Sequence, residues 1–484
     1  MKLKLLPLLF CITAFSVTAK PVIIKGKING KLPEILRYTA PVNGSQGFSF
    51  NNTTTPDTEG NFTIKIDVEA LAIIDLFSNY TPSGSIIVTP GSIYNVIINP
   101  DDKENQLTVQ GTTSEYQKLY NNICKDHGQS LIFNLAKEFR KSTATDIKQK
   151  LQEREIADVA AFQNLLKVKA IPQDIFNYIK TERSYFYACV IGYAAFNRFI
   201  DSLYEANNED LSGFNELWGD VYMQHPVNGK DINKTPWGYF FLHGYVYYNV
   251  FGKGGIDRKK FEATDALQII AAAEKVVPAQ YLEYYIAGHL HDSAIEGSTA
   301  INLVTILDNF NKKYPISGYN TLLEKEIAPI RKLHNTSTNI SGNTVFVDNY
   351  TNINSVDELI KKFPGKKLYI DVWATWCGPC REEFKYKEEL YKLLKTNDIT
   401  VVYISIDTDE KDEAWKKMIN YYGLESYHIR TNKTFSNQLY YFFNVSGTIA
   451  IPWYMLVGAD GVIASKYAPP PSEMDKLEKE ISKL

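Results

Sequence analysis

Between residues 20 and 112, apolar and polar positions alternate over short stretches. Phe62-Thr63-Ile64-Lys65-Ile66 is one such stretch, and it follows the turn residues Glu59-Gly60-Asn61. A second apolar run, Ile86-Ile87-Val88, ends at Pro90-Gly91. A period of two residues bounded by Gly and Pro is typical of half-buried β-strands. The pattern therefore predicts an N-terminal all-β domain of the sandwich type.

From residue 113 to residue 334 the apolar positions recur with the period of an α-helix. Long stretches such as Lys260–Lys275 and Tyr281–His291 lack any alternation typical of strands. The pattern predicts a central all-α region. The polar residues after it, within 335–342, predict a linker.

Residues 343–484 combine both patterns, and the most informative stretch of the chain lies there. The β-favouring run Leu368–Trp373 leads into Cys377-Gly378-Pro379-Cys380, and an amphipathic helical pattern follows. Cys377 is therefore expected at the first turn of a helix, where unpaired backbone N–H groups stabilise a thiolate. Cys380, one turn further, is expected within disulfide reach of Cys377 and more deeply buried. This arrangement predicts a redox-active dithiol.

A zinc site and a structural disulfide are the other interpretations of two cysteines at this spacing. Zinc needs a second pair of ligands. The remaining cysteines, Cys11, Cys124 and Cys189, are far apart in the chain, and the C-terminal region contains only His428. We therefore expect neither a metal site nor a bound cofactor.

The stretch from Leu368 to Cys380 resembles the active-site strand and loop of the thioredoxin superfamily. Asp371 lies six residues before Cys377, at the position of that family's buried acid. Ile451-Pro452, just before an apolar run, resembles the family's cis-proline strand. The resemblance implies an α/β thioredoxin fold for residues 343–484, which are under a third of the chain.

An additional helical pattern at Asp409–Tyr422 makes the resemblance more specific, because it points to one subgroup of the superfamily. Together with Trp-Ala-Thr-Trp-Cys and Cys-Arg-x-Glu, it is similar to the exported TlpA/ResA-like thiol:disulfide oxidoreductases. Three residues depart from the family pattern. Lys385 replaces a proline that bends the helix, Tyr403 replaces a lysine facing the buried acid, and Trp453 replaces a smaller residue after the proline.

The resemblance implies a role for each residue of the site. Cys377 would attack a substrate disulfide, Cys380 would resolve the mixed disulfide, and a buried Asp371 with a raised pKa would accept the proton of Cys380. The residues expected to contact the substrate are Trp376, Ile451 and Pro452, supported by Gly378 and Pro379.

The direction of electron flow stays open at this point. The Gly378-Pro379 dipeptide resembles reducing thioredoxins, and protein or peptide disulfides are the expected substrates. Because thiols outside the cytosol depend on an external reductant, a membrane-borne electron donor is the expected partner. A dithiol oxidase or a disulfide isomerase is the alternative. A thiol peroxidase would need a Pro-x3-Thr-x2-Cys context, which is absent, and a purely binding role leaves the paired cysteines unexplained.

The first nineteen residues have the pattern of a signal peptide. Lys2 and Lys4 precede an apolar stretch from Leu5 to Val17, and Ala19 provides a small residue for cleavage before Lys20. The sequence thus predicts export to the periplasm. A membrane-anchored lipoprotein modified at Cys11 is the alternative, although bulky Phe10 fits such a site poorly.

Composition and charge exclude several other functions. The 484 residues are 44% hydrophobic and 22% charged, which is the composition of a globular, multidomain protein. The net charge of −3 and the lack of a basic run give no basis for binding nucleic acid.

His289 and His291 are two residues apart on a predicted helix and point away from each other, so they do not predict a metal pair. Cys124 and Cys189 lie in apolar helical settings, where an unpaired buried thiol is favoured over a disulfide.

Overall fold

The structure is a computed structural model of the 484-residue chain. It describes residues 19–78, 81–102, 105–111, 113–124, 129–204, 211–253, 258–340, 342–443 and 450–484. Most of the predicted signal peptide, including Cys11, lies outside the described residues. The chain forms two compact units: Met1–Asp292 with Ile306–Glu324, and Ser293–Thr305 with Lys325–Leu484.

The first unit begins with two four-stranded sheets. In chain order the strands are β1 (Lys20–Ile28), β2 (Leu36–Tyr38), β3 (Asn52–Thr54), β4 (Asn61–Val68), β5 (Ala72–Ser78), β6 (Thr81–Val88), β7 (Ile93–Ile98) and β8 (Leu107–Val109). One sheet has the order β4-β1-β7-β8 and the other β3-β2-β5-β6. Alternate residues of β4 are buried, so the predicted period of two residues is confirmed. Apolar residues of both sheets share one core, which confirms the predicted sandwich-like β domain.

The region that follows is helical, as predicted. Its helices are α1 (Ser114–Ile123), α2 (Gln129–Glu138), α3 (Ala144–Lys167), α4 (Gln173–Tyr204), α5 (Ser212–Gln224), α6 (Gly238–Tyr247), α7 (Arg258–Ala263), α8 (Ala266–Val276), α9 (Ala279–Ile295), α10 (Asn302–Lys313) and α11 (Asn320–Asn335). Cys124 and Cys189 are both buried free thiols, and burial raises the pKa of each. The predicted boundaries of the domains and of the linker 335–342 stay predictions.

The helical stretch Lys260–Lys275 is divided between two helices. α7 ends at Ala263 and α8 starts at Ala266. The Asp265 side chain accepts a hydrogen bond from the Gln268 amide, and the Gln268 side chain accepts one from the Asp265 amide, both at 2.9 Å. This reciprocal capping satisfies amides at the start of α8 and stabilises a new helix start.

The second unit is built around a six-stranded sheet with the order β14-β13-β10-β11-β12-β9. Its strands are β9 (Thr344–Phe346), β10 (Lys367–Trp373), β11 (Ile399–Ser405), β12 (Ser426–Arg430), β13 (Trp453–Val457) and β14 (Ile463–Ser465). β10, β11, β12 and β9 pair in parallel, whereas β13 is antiparallel to both of its neighbours. The sheet and its helices form the predicted α/β thioredoxin-like fold.

The two faces of this sheet contribute to two different hydrophobic cores. The helices of the unit are α12 (Val356–Ile360), α13 (Gly378–Glu383), α14 (Lys387–Thr396), α15 (Asp412–Tyr422), α16 (Lys433–Phe442) and α17 (Met474–Ile481). Tyr369 and Trp373 of β10 belong to one core, together with residues of α13, α14, α15 and α17. Ile370 and Val372 belong to the other core, together with residues of α12 and α16. Because side chains alternate along a strand, Asp371 lies on the same face as Tyr369 and Trp373.

The predicted extra helix of this region is confirmed as α15, preceded by a single 3-10 turn over Asp409–Lys411. The α-helix after the dithiol is interrupted, although Lys385 stands where proline was expected. A 3-10 turn at Phe384–Tyr386 separates α13 from α14. Across the ranges given above, none of the helices is long and apolar enough to cross a membrane.

Candidate active site

The two cysteines lie where β10 gives way to α13, as the sequence predicts. Cys377 is the residue immediately before α13, and its Sγ is bonded to the Sγ of Cys380 at 2.00 Å. The amide of Cys380 donates a hydrogen bond to Cys377 Sγ at 3.1 Å. Cys377 is 3% exposed and Cys380 is 0% exposed. The predicted order of burial is therefore confirmed.

The local sequence explains why a helix starts at this point. Gly378 and Pro379 occupy the first turn of α13. Proline is tolerated there because its missing N–H would have had no partner within the helix. The Cys380 N–H donates to Cys377 Sγ, and the positive end of the helix dipole favours negative charge at that sulfur. The arrangement can therefore stabilise Cys377 as a thiolate once the disulfide is reduced.

A buried carboxylate that the sequence reasoning missed holds the loop before the dithiol. Asp407 is 2% exposed. Its Oδ2 accepts a hydrogen bond from the Thr375 amide at 2.9 Å, and its Oδ1 accepts one from Thr375 Oγ1 at 2.7 Å. Ser405 Oγ donates to Asp407 Oδ2 at 2.8 Å. These bonds fix Thr375, two residues before Cys377.

The sequence contains a signal for this contact. Asp407 follows β11 just as Thr375 follows β10, and most residues of both strands are apolar. The carboxyl ends of neighbouring parallel strands lie at the same edge of a sheet, where functional residues collect. A polar residue directly after β11 was therefore a candidate neighbour of the dithiol loop.

Asp371 is buried at the centre of the sheet. It is 2% exposed, and its register partners are Tyr403 on β11 and Tyr454 on β13. Within the described part of the chain, Asp371 Oδ1 has no hydrogen-bond partner. Burial, together with the negative charge of Glu383, holds the pKa of Asp371 well above its ordinary value. Asp371 therefore does not face solvent.

Tyr403 gives Asp371 a neighbour without a positive charge. The Tyr403 hydroxyl is 2.8 Å from the Tyr391 hydroxyl, which in turn accepts a hydrogen bond from the Glu425 amide at 3.0 Å. The Tyr403 ring also stacks on His428, with ring centroids 4.8 Å apart. Burial lowers the pKa of His428 to about 3, so this imidazole is neutral at neutral pH. Neither aromatic residue offsets the charge of an ionised Asp371.

The remaining predicted residues are Ile451, Pro452 and Trp376. The Ile451–Pro452 peptide bond is cis, and the Ile451 carbonyl oxygen is 3.6 Å from Cys377 Sγ. Trp376 is 59% exposed. Trp453 packs against Tyr467, with ring centroids 5.0 Å apart, and its indole N–H donates to the Lys466 carbonyl.

Among the described residues, no group of three or more His, Cys, Asp or Glu side chains is placed to hold a metal ion. The chemistry that the arrangement offers is that of the two sulfur atoms and the nearby carboxyl group.

We predict that Asp371→Asn stabilises the oxidised protein at neutral pH. An acid whose pKa is raised by folding binds more protons in the native state than in the unfolded state, so its contribution to stability falls as pH rises above the ordinary value of about 4. Asn has no ionisable group, so the variant does not lose folding stability in this way as pH rises. The gain should therefore be large at pH 7 and should disappear near pH 3.

Denaturant unfolding of the oxidised wild-type protein and of the variant at both pH values measures this difference. Asp398→Asn is the control, because Asp398 is exposed in the turn before β11. A gain that is equal at pH 3 and pH 7 would contradict the burial of an ionisable Asp371.

Comparison with known proteins agrees with this geometry. Residues 342–481 match the family model described as Redoxin. The thiol-disulfide oxidoreductase ResA of Bacillus anthracis is 39% identical over 66 residues, which are 14% of this chain and 37% of that protein. The ResA of Bacillus thuringiensis subsp. konkukian is 31% identical over 104 residues, which are 22% of this chain and 56% of that protein.

The chain thus spans about a third to just over half of the length of these relatives. Among solved structures, the thioredoxin domain of a thiol-disulfide oxidoreductase from Bacteroides vulgatus is 25% identical, covering 25% of this chain and 81% of that chain with a TM-score of 0.22. Residues 342–481 are a Redoxin domain similar to the ResA-type thiol-disulfide oxidoreductases.

Proposed function

We propose that this protein reduces disulfides of exported proteins by dithiol exchange through Cys377 and Cys380. The observation that carries the proposal is the Cys377–Cys380 disulfide at the start of α13, with the Cys380 amide donating to Cys377 Sγ. A sulfur that accepts a helix amide is stabilised as the attacking thiolate. Cys380, with 0% exposure, is shielded from substrate and suits the resolving role.

The exchange starts from the reduced dithiol. The Cys377 thiolate attacks one sulfur of the substrate disulfide, which forms a mixed disulfide and releases the other substrate sulfur as a thiolate. Cys380 then loses its proton and attacks Cys377 Sγ, which forms the Cys377–Cys380 disulfide and releases the second substrate sulfur. Two electrons pass to the substrate, whose two thiolates take up protons.

Asp371 is the group that we assign to accept the proton of Cys380, directly or through water. Its carboxyl is buried on the face of the sheet whose core also contains both cysteines. A carboxyl group with a raised pKa is a stronger base than an ordinary one. The burial of Asp371 therefore supports its assignment to the resolving step.

The substrate is proposed to lie beside Trp376 and along Ile451-Pro452. The Ile451 carbonyl is within 3.6 Å of Cys377 Sγ, so a main chain bound there would lie next to the attacking sulfur. The exposed face of Trp376 offers an aromatic contact on the other side. Extended peptides commonly bind by main-chain pairing of this kind.

For the cysteine roles, we predict that Cys380→Ser accumulates mixed disulfides with substrate proteins, because the attacking sulfur remains and the resolving sulfur is lost. Cys377→Ser should trap almost none. Non-reducing electrophoresis of both variants after expression in the exported form measures the trapped species. Equal trapping by the two variants would contradict the assigned roles.

The direction of exchange depends on the reduction potential. We expect a value below about −200 mV, at the reducing end of the range for this fold, as the Gly378-Pro379 dipeptide suggests. Equilibration of the protein with defined ratios of reduced and oxidised glutathione gives the potential. A value near −120 mV would instead assign the protein as a dithiol oxidase, and an intermediate value as an isomerase.

We also propose that the protein acts in the periplasm and receives electrons from a membrane-borne donor. The Lys2/Lys4 segment, the apolar stretch after it and Ala19 support removal of a signal peptide. N-terminal sequencing of the exported protein should therefore begin at or near Lys20. A lipid-modified Cys11 would support the membrane-anchored alternative, and an intact Met1 would exclude cleavage.

A further inference from the structure

A groove of about 760 Å³ opens beside Trp376, within the second compact unit. The segment Glu296–Asn302 lines the groove and is called its wall below, and residues within 410–418, just before and in the first turns of α15, line it as well. Leu333 and His334 also line the groove, as do Thr375 and Trp376 of the loop before Cys377. We call this feature the side groove.

The wall Glu296–Asn302 is tied to the helix that carries the dithiol. Arg381, the residue after Cys380, donates a hydrogen bond to the Gly297 carbonyl. Gly297 has φ of +77°, and a Cβ atom there would lie 2.7 Å from the Arg381 guanidinium. The positive φ favours glycine at this position, where a Cβ atom would also displace the end of the Arg381 side chain.

A second bond holds the same wall. His334 Nε2 lies 2.7 Å from the Thr299 carbonyl oxygen, and because a carbonyl only accepts, the imidazole donates this bond. The wall is thus fixed at Gly297 and at Thr299, on either side of Ser298.

The surface of the side groove is part apolar and part charged. Trp376 is 59% exposed and Ile301 is 47% exposed, so both present apolar surface. The volume is within the range of about 300–1,000 Å³ typical of ligand sites, and charged residues interrupt its apolar lining. A mixed surface beside an exposed aromatic residue suits a polypeptide segment.

The side groove has more acidic than basic residues once its ion pair is set aside. Lys417 pairs with Glu413 at 2.8 Å, so these two charges offset each other. Glu410, Glu296 and Lys411 remain, and in the described part of the chain neither glutamate has a cationic partner within 4 Å. The Thr408 side chain lowers the pKa of Glu410, which keeps this carboxylate ionised at neutral pH. A basic side chain is therefore the complementary partner.

We propose that the side groove binds an extended segment of the substrate polypeptide next to the attacked cysteine, with an apolar side chain against Trp376 and Ile301 and a basic side chain near Glu410. This inference rests on the proposed function, because it places the segment beside the dithiol. It goes further in assigning substrate selection to Glu296–Asn302, which lies outside the Redoxin match.

The experiment uses the reduced full-length protein and two disulfide probes that release the same coloured leaving group. The first probe is a synthetic peptide with the sequence Lys-Leu-Cys-Ala-Ala, blocked at both ends, whose cysteine is joined to 5-thio-2-nitrobenzoate. The second is 5,5′-dithiobis(2-nitrobenzoate), which has no peptide. Release of the coloured thiolate gives a second-order rate constant for each probe.

Ile301→Ser should slow the reaction with the peptide about tenfold, because apolar surface buried by the peptide side chain is lost. The rate constant for 5,5′-dithiobis(2-nitrobenzoate) should change less than about twofold. Ile316→Ser is the matched control, since Ile316 is 97% exposed and lies outside the groove. It should change neither rate constant.

The charge is tested with a second peptide in which Glu replaces the Lys. The wild-type protein should react faster with the Lys peptide, and Glu410→Gln should reduce this preference, whereas Glu389→Gln on the exposed side of α14 should not. An unchanged preference in Glu410→Gln would overturn the charge assignment.

The remaining outcomes separate the two proposals. If Ile301→Ser slows both probes equally, or neither, the side groove does not select polypeptides. If the wild-type protein reacts with neither probe, the proposed dithiol exchange itself is wrong.

Discussion

The parallel pairing of β10 with β11 is the constraint on which the site depends. Parallel neighbours place their carboxyl ends at one edge of the sheet, so the loop after β10 meets the loop after β11. Thr375 and Asp407 come from these two loops and bond to each other. On the other side of β10, β13 is antiparallel, which brings its first residues to the same edge. Pro452, directly before β13, therefore reaches the dithiol from the opposite side of β10.

Two equally buried carboxyl groups serve this edge in different ways. Asp407 accepts hydrogen bonds from Thr375 and Ser405, so its polar atoms are satisfied and the loop before Cys377 is held in place. Asp371 has an oxygen atom without a partner in the described residues, and burial therefore disfavours its charged form. A satisfied carboxylate positions the backbone, whereas an unsatisfied carboxyl group is free to exchange a proton. The sheet thus separates support of the loop from the acid–base role that we propose.

The features that the sequence predicted are those encoded locally. The dithiol at a helix start, the strand before it and the helix at Asp412–Tyr422 follow from spacing and period alone, and the structure has all three. The burial of Asp371 was implied by the resemblance, at the position of the family's buried acid, and the structure has it. These signals need no knowledge of which strands become neighbours.

The features that the sequence missed depend on contacts between distant segments. Asp407 matters only because β11 lies beside β10, and Glu296–Asn302 becomes a wall of the side groove through contacts with Arg381 and His334. The break between α7 and α8 was missed for a different reason. Its apolar period continues across Thr264-Asp265, but the bonds between Asp265 and Gln268 start a new helix there.

Asp371, the proposed proton acceptor, has Tyr403 as its neighbour where a lysine was expected. A lysine facing Asp371 would stabilise the ionised carboxylate and lower its pKa, which would make it a weaker base. Tyr403 instead has its hydroxyl next to Tyr391, and its ring stacks on a neutral His428. The carboxylate then gains no ionic stabilisation, so the raised pKa persists and the ionised form attracts a proton more strongly. The replacement of lysine by tyrosine therefore strengthens the base that we propose for the resolving step, and it also lowers the fraction of Asp371 that is ionised at neutral pH.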